Sequence, residues 1–518
     1  MLAALRPNRR QQAVTQVAQI PAPVGGLNAR DALASMKPIY ALTLENFFPE
    51  GSYARLRRGY ASHGTGMSAD VQTLMTYHAL NGTEALFAAA NNKIWNVTVA
   101  GAATSSYSTS ITVNKWQWIN FSNSGTLYIL AVNGTDTPLK YNGSAWSTNS
   151  ITGSISSSAN IINIFQHKER VWLIEKNKLD VWYLASQAIS GAATKLPLGG
   201  VFNKGGQVVA GGTLSTDSGS GIDDMIVFVT DNGEAAIYQG TNPATDFLLI
   251  GVFDIGEVVG PRCVFGIGGD LIVLTTEGAV PMSSMINYDR SKANSLAVTA
   301  SIADKFSDAV QLFKSNFGWE GFVYPKGHYI IVNIPEVAGD RQKQYIQNTL
   351  TGAWCKYSGM NANCWGLLND ELYFGGNDGI VFKADTGYQD NGGQIEGELK
   401  TAFNACGSYG QNKAFKALRP LLITSGTIDI LAGVNVDFDD IAPTGVASAV
   451  AGSSVGVWGT STWGNCLWGG GGLLSRKWIT TGRIGTTVAA HLKVASNGIS
   501  VQVNGFDVLY EKCQGTIY

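Results

Sequence analysis

The sequence predicts an all-β protein: a six- or seven-bladed β-propeller over residues 61–398, followed by a C-terminal antiparallel β-domain over 399–518. Three observations predict it. Short β-rich runs recur, each broken by a turn of Gly, Asn or Asp. The turns repeat at blade-like intervals. The composition is also that of a weakly charged, turn-rich chain, with 62 glycines in 518 residues and only 14% charged residues, against a usual figure of about 25%.

The recurring runs are Ala85–Val99, Arg170–Tyr183, Met225–Tyr238, Leu271–Pro281 and Glu371–Phe382. Each holds an apolar strand, a tight turn and a second apolar strand. Their turns (Asn91-Asn92-Lys93, Lys176-Asn177-Lys178, Asp231-Asn232-Gly233, Glu277-Gly278 and Asp378-Gly379) use residues that tolerate the positive φ a tight hairpin demands. Two looser members, Tyr128–Tyr141 turning near Gly134 and Tyr329–Ile346 turning near Gly339, fill the gaps. The seven turns are then spaced 39 to 61 residues apart, and a four-stranded blade takes about 40–50 residues. Gly143-Ser144-Ala145-Trp146 and Gly352-Ala353-Trp354 follow second strands and read as the next turn of a blade, with Trp entering the outer strand. A β-sandwich would explain the turns but not their sustained recurrence.

One helix interrupts the pattern near 301–315, where Ile302, Phe306, Val310 and Phe313 form an apolar stripe. Residues 1–60 carry no blade and are read as an N-terminal arm that pairs with the C-terminal domain or closes the ring. In that domain, Ile484 to Val503 reads as two strands joined through Asn497-Gly498.

Charge and targeting signals narrow the function. Lys plus Arg number 36 and Asp plus Glu 38, which disfavours a polycationic nucleic-acid coat. The N-terminus lacks the apolar stretch of a secretory signal, so synthesis in the cytoplasm is expected. Six dispersed cysteines and five dispersed histidines (His63, His78, His167, His328, His491) predict no metal site and no disulfide framework. Gly266-Ile267-Gly268-Gly269-Asp270 lacks a following helix and reads as a blade turn. Val436-Asp437-Phe438-Asp439-Asp440 reads as solvated turn acids, because it lacks the Gly and distal Glu of a calcium loop. Ser215 to Gly219 is a single degraded sialidase-type turn, and Gly452-Ser453-Ser454-Val455-Gly456 sits in a loop rather than a strand–helix elbow. No catalytic residue, metal or cofactor is therefore expected. The loop 441–475 is the candidate site: Trp458, Trp463 and Trp468 are interleaved with glycines, as a gate or a subunit contact would be.

The N-terminal block is more specific. Gly25-Gly26-Leu27-Asn28-Ala29-Arg30-Asp31 precedes Ala41-Leu42-Thr43-Leu44-Glu45-Asn46-Phe47-Phe48-Pro49, then Arg55 and Arg58-Gly59-Tyr60. This order resembles the start of tail nozzle, or tail-hub, β-propeller proteins of short-tailed bacteriophages. Thr351-Gly352-Ala353-Trp354, the region from Lys416 to Asp440, and the Trp-rich loop before Trp478 are similar to that family as well. The resemblance implies a structural virion protein and not an enzyme. It implies a homohexameric ring below the portal–adaptor proteins, contacting tail fibres or spikes. That ring would line the channel that retains the double-stranded phage genome and delivers it without sequence-specific binding. The competing expectation is a receptor- or glycan-binding propeller of the tail.

Overall fold

The computed structural model describes residues 15–215, 224–288, 290–444, 448–450, 473–474 and 477–513. It is all-β, built of many small sheets. The chain divides into two compact units, Arg58–Gly393 on one hand and Met1–Arg57 with Gln394–Tyr518 on the other.

The unit Arg58–Gly393 is a succession of seven antiparallel meanders of three or four strands, the third and seventh each gaining a short parallel strand, Ile151–Gly153 and Gly101–Ala102. Their first strands are Thr73–His78, Gln117–Asn123, Ile161–His167, Val208–Leu214, Val264–Ile267, Glu320–Tyr324 and Cys364–Leu368. The seven turns read from the sequence each join the second and third strands of one sheet. Asn91 and Asn92 sit at φ 50° and 55°, and Gly134, Gly233 and Gly379 at 74°, 81° and 72°, so the turn chemistry meets a real backbone requirement. Trp146 and Trp354 open the fourth strands Trp146–Thr148 and Trp354–Tyr357. Each first strand packs against the first strand of the next sheet, and Cys364–Leu368 packs in turn against Thr73–His78. The seventh sheet takes its fourth strand from the N-terminal side: Gly59–Thr65 pairs antiparallel with Val381–Thr386. Gly59 and Tyr60 thus belong to this sheet, while the strands before Arg58 belong to the other unit.

Apolar cores lie at the seams between sheets. Met75, Phe87, Trp116, Tyr141 and Trp146 fill the seam of the first and second sheets. Trp172 lies against Phe228 at 5.4 Å and Phe247 at 5.6 Å between the third and fourth. Each large side chain so buried stabilises the fold by about 1.5–3 kcal/mol. Polar side chains tie neighbouring first strands together. Thr76 Oγ1 donates to Leu367 O (2.6 Å), Asn120 Nδ2 to Thr76 O (2.9 Å) and Asn163 Nδ2 to Val209 O (3.2 Å). The Thr213 hydroxyl donates to Gln166 O, leaving its lone pairs to accept from His167 Nδ1–H at 3.0 Å. Between the fifth and sixth sheets, helix Ala303–Phe313 buries Phe306, Ala309 and Val310. Its last carbonyl, on Phe313, accepts from Trp319 Nε1 at 2.9 Å.

The other unit contains two strand arrangements, antiparallel except where Gly26–Leu27 pairs parallel with Tyr40–Glu45. Thr15–Pro21, Phe47–Pro49 and Ala54–Leu56 join the sheet of Lys413–Thr424, Ile479–Gly485 and Val501–Lys512. Gly26–Leu27 and Tyr40–Glu45 line up with Ile395–Thr401, Val488–Ser496 and Ile428–Val436. The strands joined through Asn497-Gly498 do not pair with each other; each enters a different sheet. Gly498, at φ 82°, turns a corner between sheets.

Two tests follow from the sheet contacts. A Cβ on Gly59 would lie 1.9 Å from Gln389 O, so Gly59→Ala should lower stability by about 1–3 kcal/mol; an unchanged urea midpoint would contradict the close approach. Burial pushes the His167 imidazole down to about 4 from 6.5. Across that window the unfolded chain binds a proton that the folded chain refuses, so stability should fall by about 3 kcal/mol as pH drops through it. His167→Gln should flatten the loss in denaturation curves taken at pH 7 and pH 4.5.

Candidate functional site

The most unusual chemistry of the unit Arg58–Gly393 sits where the first strands begin. Arg262 precedes the fifth sheet and is 8% exposed. Its Nη2 reaches Gln72 O (2.9 Å), Thr73 Oγ1 (2.7 Å) and Trp116 O (3.2 Å), at the entries to the first and second sheets. Thr73 can accept because its hydroxyl proton goes to Asn114 O at 2.8 Å, and Thr73 Oγ1 also accepts from Trp116 N at 2.9 Å. Glu320, which opens the sixth sheet, lies 3.8 Å from Arg262 Nη1 and accepts from Trp365 N at 3.3 Å. One guanidinium therefore holds the first, second, fifth and sixth sheets. Phe317 lies beside two cations, with its ring centre 5.2 Å from Arg262 and 4.3 Å from Lys115 Nζ.

The electrostatics are those of a largely buried site. Burial pushes the Glu320 carboxyl above its ordinary range, and Arg262 opposes that only in part. Beside them the buried Cys364 thiol is pushed up to about 12, so it is not a thiolate nucleophile. A polar cavity of about 210 Å³, lined by Arg262, Glu320, Gln117, Asn163 and Trp118, opens here. The arrangement can brace strands and hold a few small polar molecules. It pairs no nucleophile with a base.

The sequence block at the N-terminus is explained residue by residue. Asn28 folds its own loop: its Oδ1 accepts from the amides of Arg30 and Asp31, both at 3.0 Å, and its Nδ2 donates to Asp31 Oδ2 at 2.9 Å. Asn46 takes a left-handed φ of 57° and donates to Glu396 O at 2.7 Å. Its Oδ1 receives Nε of Arg57 at 2.8 Å, and Arg57 is 1% exposed. Arg55 pairs with Glu50 at 2.7 Å and lies 4.9 Å from the Phe48 ring centre. These residues are required by backbone geometry and ion pairing.

The structure does not draw the other sequence candidates into one place. Trp458, Trp463 and Trp468 lie outside the described residues, as do Gly452–Gly456 and the chain from 216 to 219. His63 faces Val97 O at 2.9 Å, and His78 pairs with Glu84 at 2.9 Å. His328 sits in a turn at φ 59°. His491 is bracketed by Asn435 Oδ1 at 3.0 Å and Glu398 Oε1 at 2.7 Å. The acids at 437–440 face solvent in part, Asp440 being 85% exposed, and also make defined contacts. Asp437 accepts from Thr486 and Thr487, Asp439 pairs with Arg483, and Asp440 with Lys400. Gly268, at φ 60°, turns between the first two strands of the fifth sheet. Among the described residues no three His, Cys, Asp or Glu side chains converge as a metal site would need, and no helix is long and apolar enough to cross a membrane. Arg262 and Glu320 were missed because they stand 58 residues apart in sequence; the only signal was a charge set against the apolar run Cys263-Val264-Phe265.

No family model matches the chain, and no curated protein does. Among solved structures, BamB from Moraxella catarrhalis is 12% identical over 72% of this chain and 98% of that one, with a TM-score of 0.32. The computationally designed Ika8 protein is 10% identical over 63% and 100%, with a TM-score of 0.35. BBS1N, crystallised in complex with ARL6DN, is 12% identical over 41% and 64%, with a TM-score of 0.28, so this chain spans less than two thirds of it. Scores this low carry no conclusion about function.

Removing one partner of a buried ion pair leaves the other charge uncompensated. Arg262→Met should therefore cost about 3–5 kcal/mol in chemical denaturation, and adding Glu320→Gln should restore part of that loss. Equal midpoints for the wild type and Arg262→Met would show that the guanidinium holds nothing.

Proposed function

We propose that Arg58–Gly393 is a seven-bladed β-propeller, and that the protein is a structural component of a short-tailed bacteriophage tail, forming the nozzle ring. The observation that carries this reading is the N-terminal block. Its Asn28, Asn46 and Gly59 each have a structural task, and Gly59 begins the strand that completes the seventh sheet. Seven meanders in succession, with the last packed on the first, also support it. A propeller leaves few open strand edges and suits a rigid wall.

In this reading six copies form a ring below the portal–adaptor proteins, with fibres or spikes attached outside. The genome would pass between copies and not along a propeller's own axis, where Arg262 crosses and the cavity is only about 210 Å³. A formal charge of −2 per chain suits a conduit, because each phosphate contact adds affinity and slows sliding. No catalytic step and no cofactor belong to this function. The segment 441–475, with Trp458, Trp463 and Trp468, is assigned to a subunit contact or constriction.

Electron microscopy of particles carrying a tagged copy tests this. Six-fold density at the end of a short tail is expected. Label on peripheral fibres, or absence of the protein from purified particles, would overturn it.

A further inference from the structure

Seven Asn-Gly pairs occur in the chain, beginning at 81, 133, 142, 232, 391, 497 and 504, and all lie within the described residues. Asparagine before glycine can react with its own backbone, because glycine has no side chain to shield its amide nitrogen or bar the rotation needed. At six of the pairs the structure restrains that reaction. The amides of Gly82, Gly134 and Gly233 donate to Ala79 O at 3.0 Å, Ile161 O at 2.8 Å and Thr230 O at 3.2 Å. Asn504 and Gly505 lie inside strand Val501–Lys512, between two partner strands. The side-chain oxygen of Asn142 is held by the amides of Ser144 and Ala145, at 3.0 and 2.9 Å, and that of Asn391 by the amide of Ser62 at 3.1 Å.

Asn497-Gly498 carries none of these restraints. Both residues are exposed, and the Asn497 side chain and Gly498 amide have no hydrogen-bond partner among the described residues. Gly498 has φ 82°, and nothing lies within 4 Å of where a Cβ would stand. The corner is pinned only at its two ends, where the Ser496 hydroxyl donates to Ile499 O and accepts from Ile499 N at 3.2 Å. We propose that Asn497 is a self-modification site, deamidated by its own backbone through a cyclic imide. The Gly498 nitrogen attacks Asn497 Cγ: the N–Cγ bond forms, the Cγ–Nδ2 bond breaks, and ammonia leaves with the amide proton. Solvent water then opens the five-membered imide. Cleavage of the new N–Cγ bond restores the ordinary main chain with an aspartate. Cleavage at the Asn497 main-chain carbonyl leaves isoaspartate, with the chain running through Cγ. No electron is transferred, and either product adds a negative charge at neutral pH. Isoaspartate also inserts one main-chain atom between Ser496 and Ile499, at the corner joining Val488–Ser496 to Val501–Lys512. Loss of ammonia makes the change one-way, so it marks the age of each copy.

The full-length protein should be held at pH 8 and 37 °C for several days and mapped by peptide mass spectrometry, with isoaspartate-specific methylation to tell the two products apart. The Asn497 peptide should gain one mass unit about tenfold faster than any of the other six, since those must first break a hydrogen bond or open a strand. Protein unfolded in urea should lose this selectivity, the seven pairs converting at similar rates. Asn497→Gln, judged folded by an unchanged urea midpoint, should remove the early conversion, because its longer side chain does not close a five-membered ring. An unmodified Asn497 in the folded protein, another pair converting first, the same selectivity in folded and unfolded protein, or early conversion persisting in Asn497→Gln would each overturn the proposal. The chemistry needs no partner and does not depend on the nozzle reading.

Discussion

The unit Arg58–Gly393 depends on backbone pairing between its two ends. Gly59–Thr65 supplies the fourth strand of a sheet whose other strands come from the end of the unit. Ser62 and Asn391, bonded at 3.1 Å across this join, are 329 residues apart in sequence. Closing so long a loop costs on the order of 5 kcal/mol in chain entropy. The pairing must therefore be locked by more than its own hydrogen bonds. Tyr60 does this: its ring meets Phe374 and Phe382 edge-on, each at 5.1 Å, and its hydroxyl donates to Gly359 O at 3.1 Å. Gly59 lets the strand approach Gln389 closely enough for these contacts to form.

The hairpins were legible from sequence because their causes are local. Asn91-Asn92, Gly233 and Gly379 announce positive φ to anyone who knows which residues tolerate it, and the structure holds them there. The helix at Ala303–Phe313 was legible for the same reason, since Phe306 and Val310 repeat at its period. Contacts made across the fold left no such trace. Nothing near Arg262 states that it will meet Thr73, 189 residues earlier. The contacts that Asp437, Asp439 and Asp440 make left no local trace, because their partners Thr486, Arg483 and Lys400 are 40 or more residues away.

The unit of Met1–Arg57 and Gln394–Tyr518 is discontinuous in sequence, and the N-terminal block shows why a few residues there are so exacting. Asn46 and Arg57 both belong to this unit. Asn46 adopts a left-handed conformation that an Asn tolerates and a β-branched residue does not. Its side chain then serves a strand from the far end of the chain, through Glu396 O, while Arg57 fills the buried space beside it. Short elements of this kind bring distant segments together at small cost in apolar area, which suits a chain with so little charge and so many turns.

The Arg262 guanidinium has a mechanical meaning. Packing between neighbouring sheets resists separation at each seam but offers little against a circular assembly being squeezed into an oval, because every seam can hinge slightly. A rigid planar group that grips Thr73 and Trp116 from the fifth sheet, with Glu320 beside it, ties non-adjacent sheets together. It acts as a strut: deformation along that diameter must break charge-assisted hydrogen bonds in a water-poor interior, where they are strongest. Arg262 thus adds to the packing at each seam a polar tie between sheets that are not neighbours.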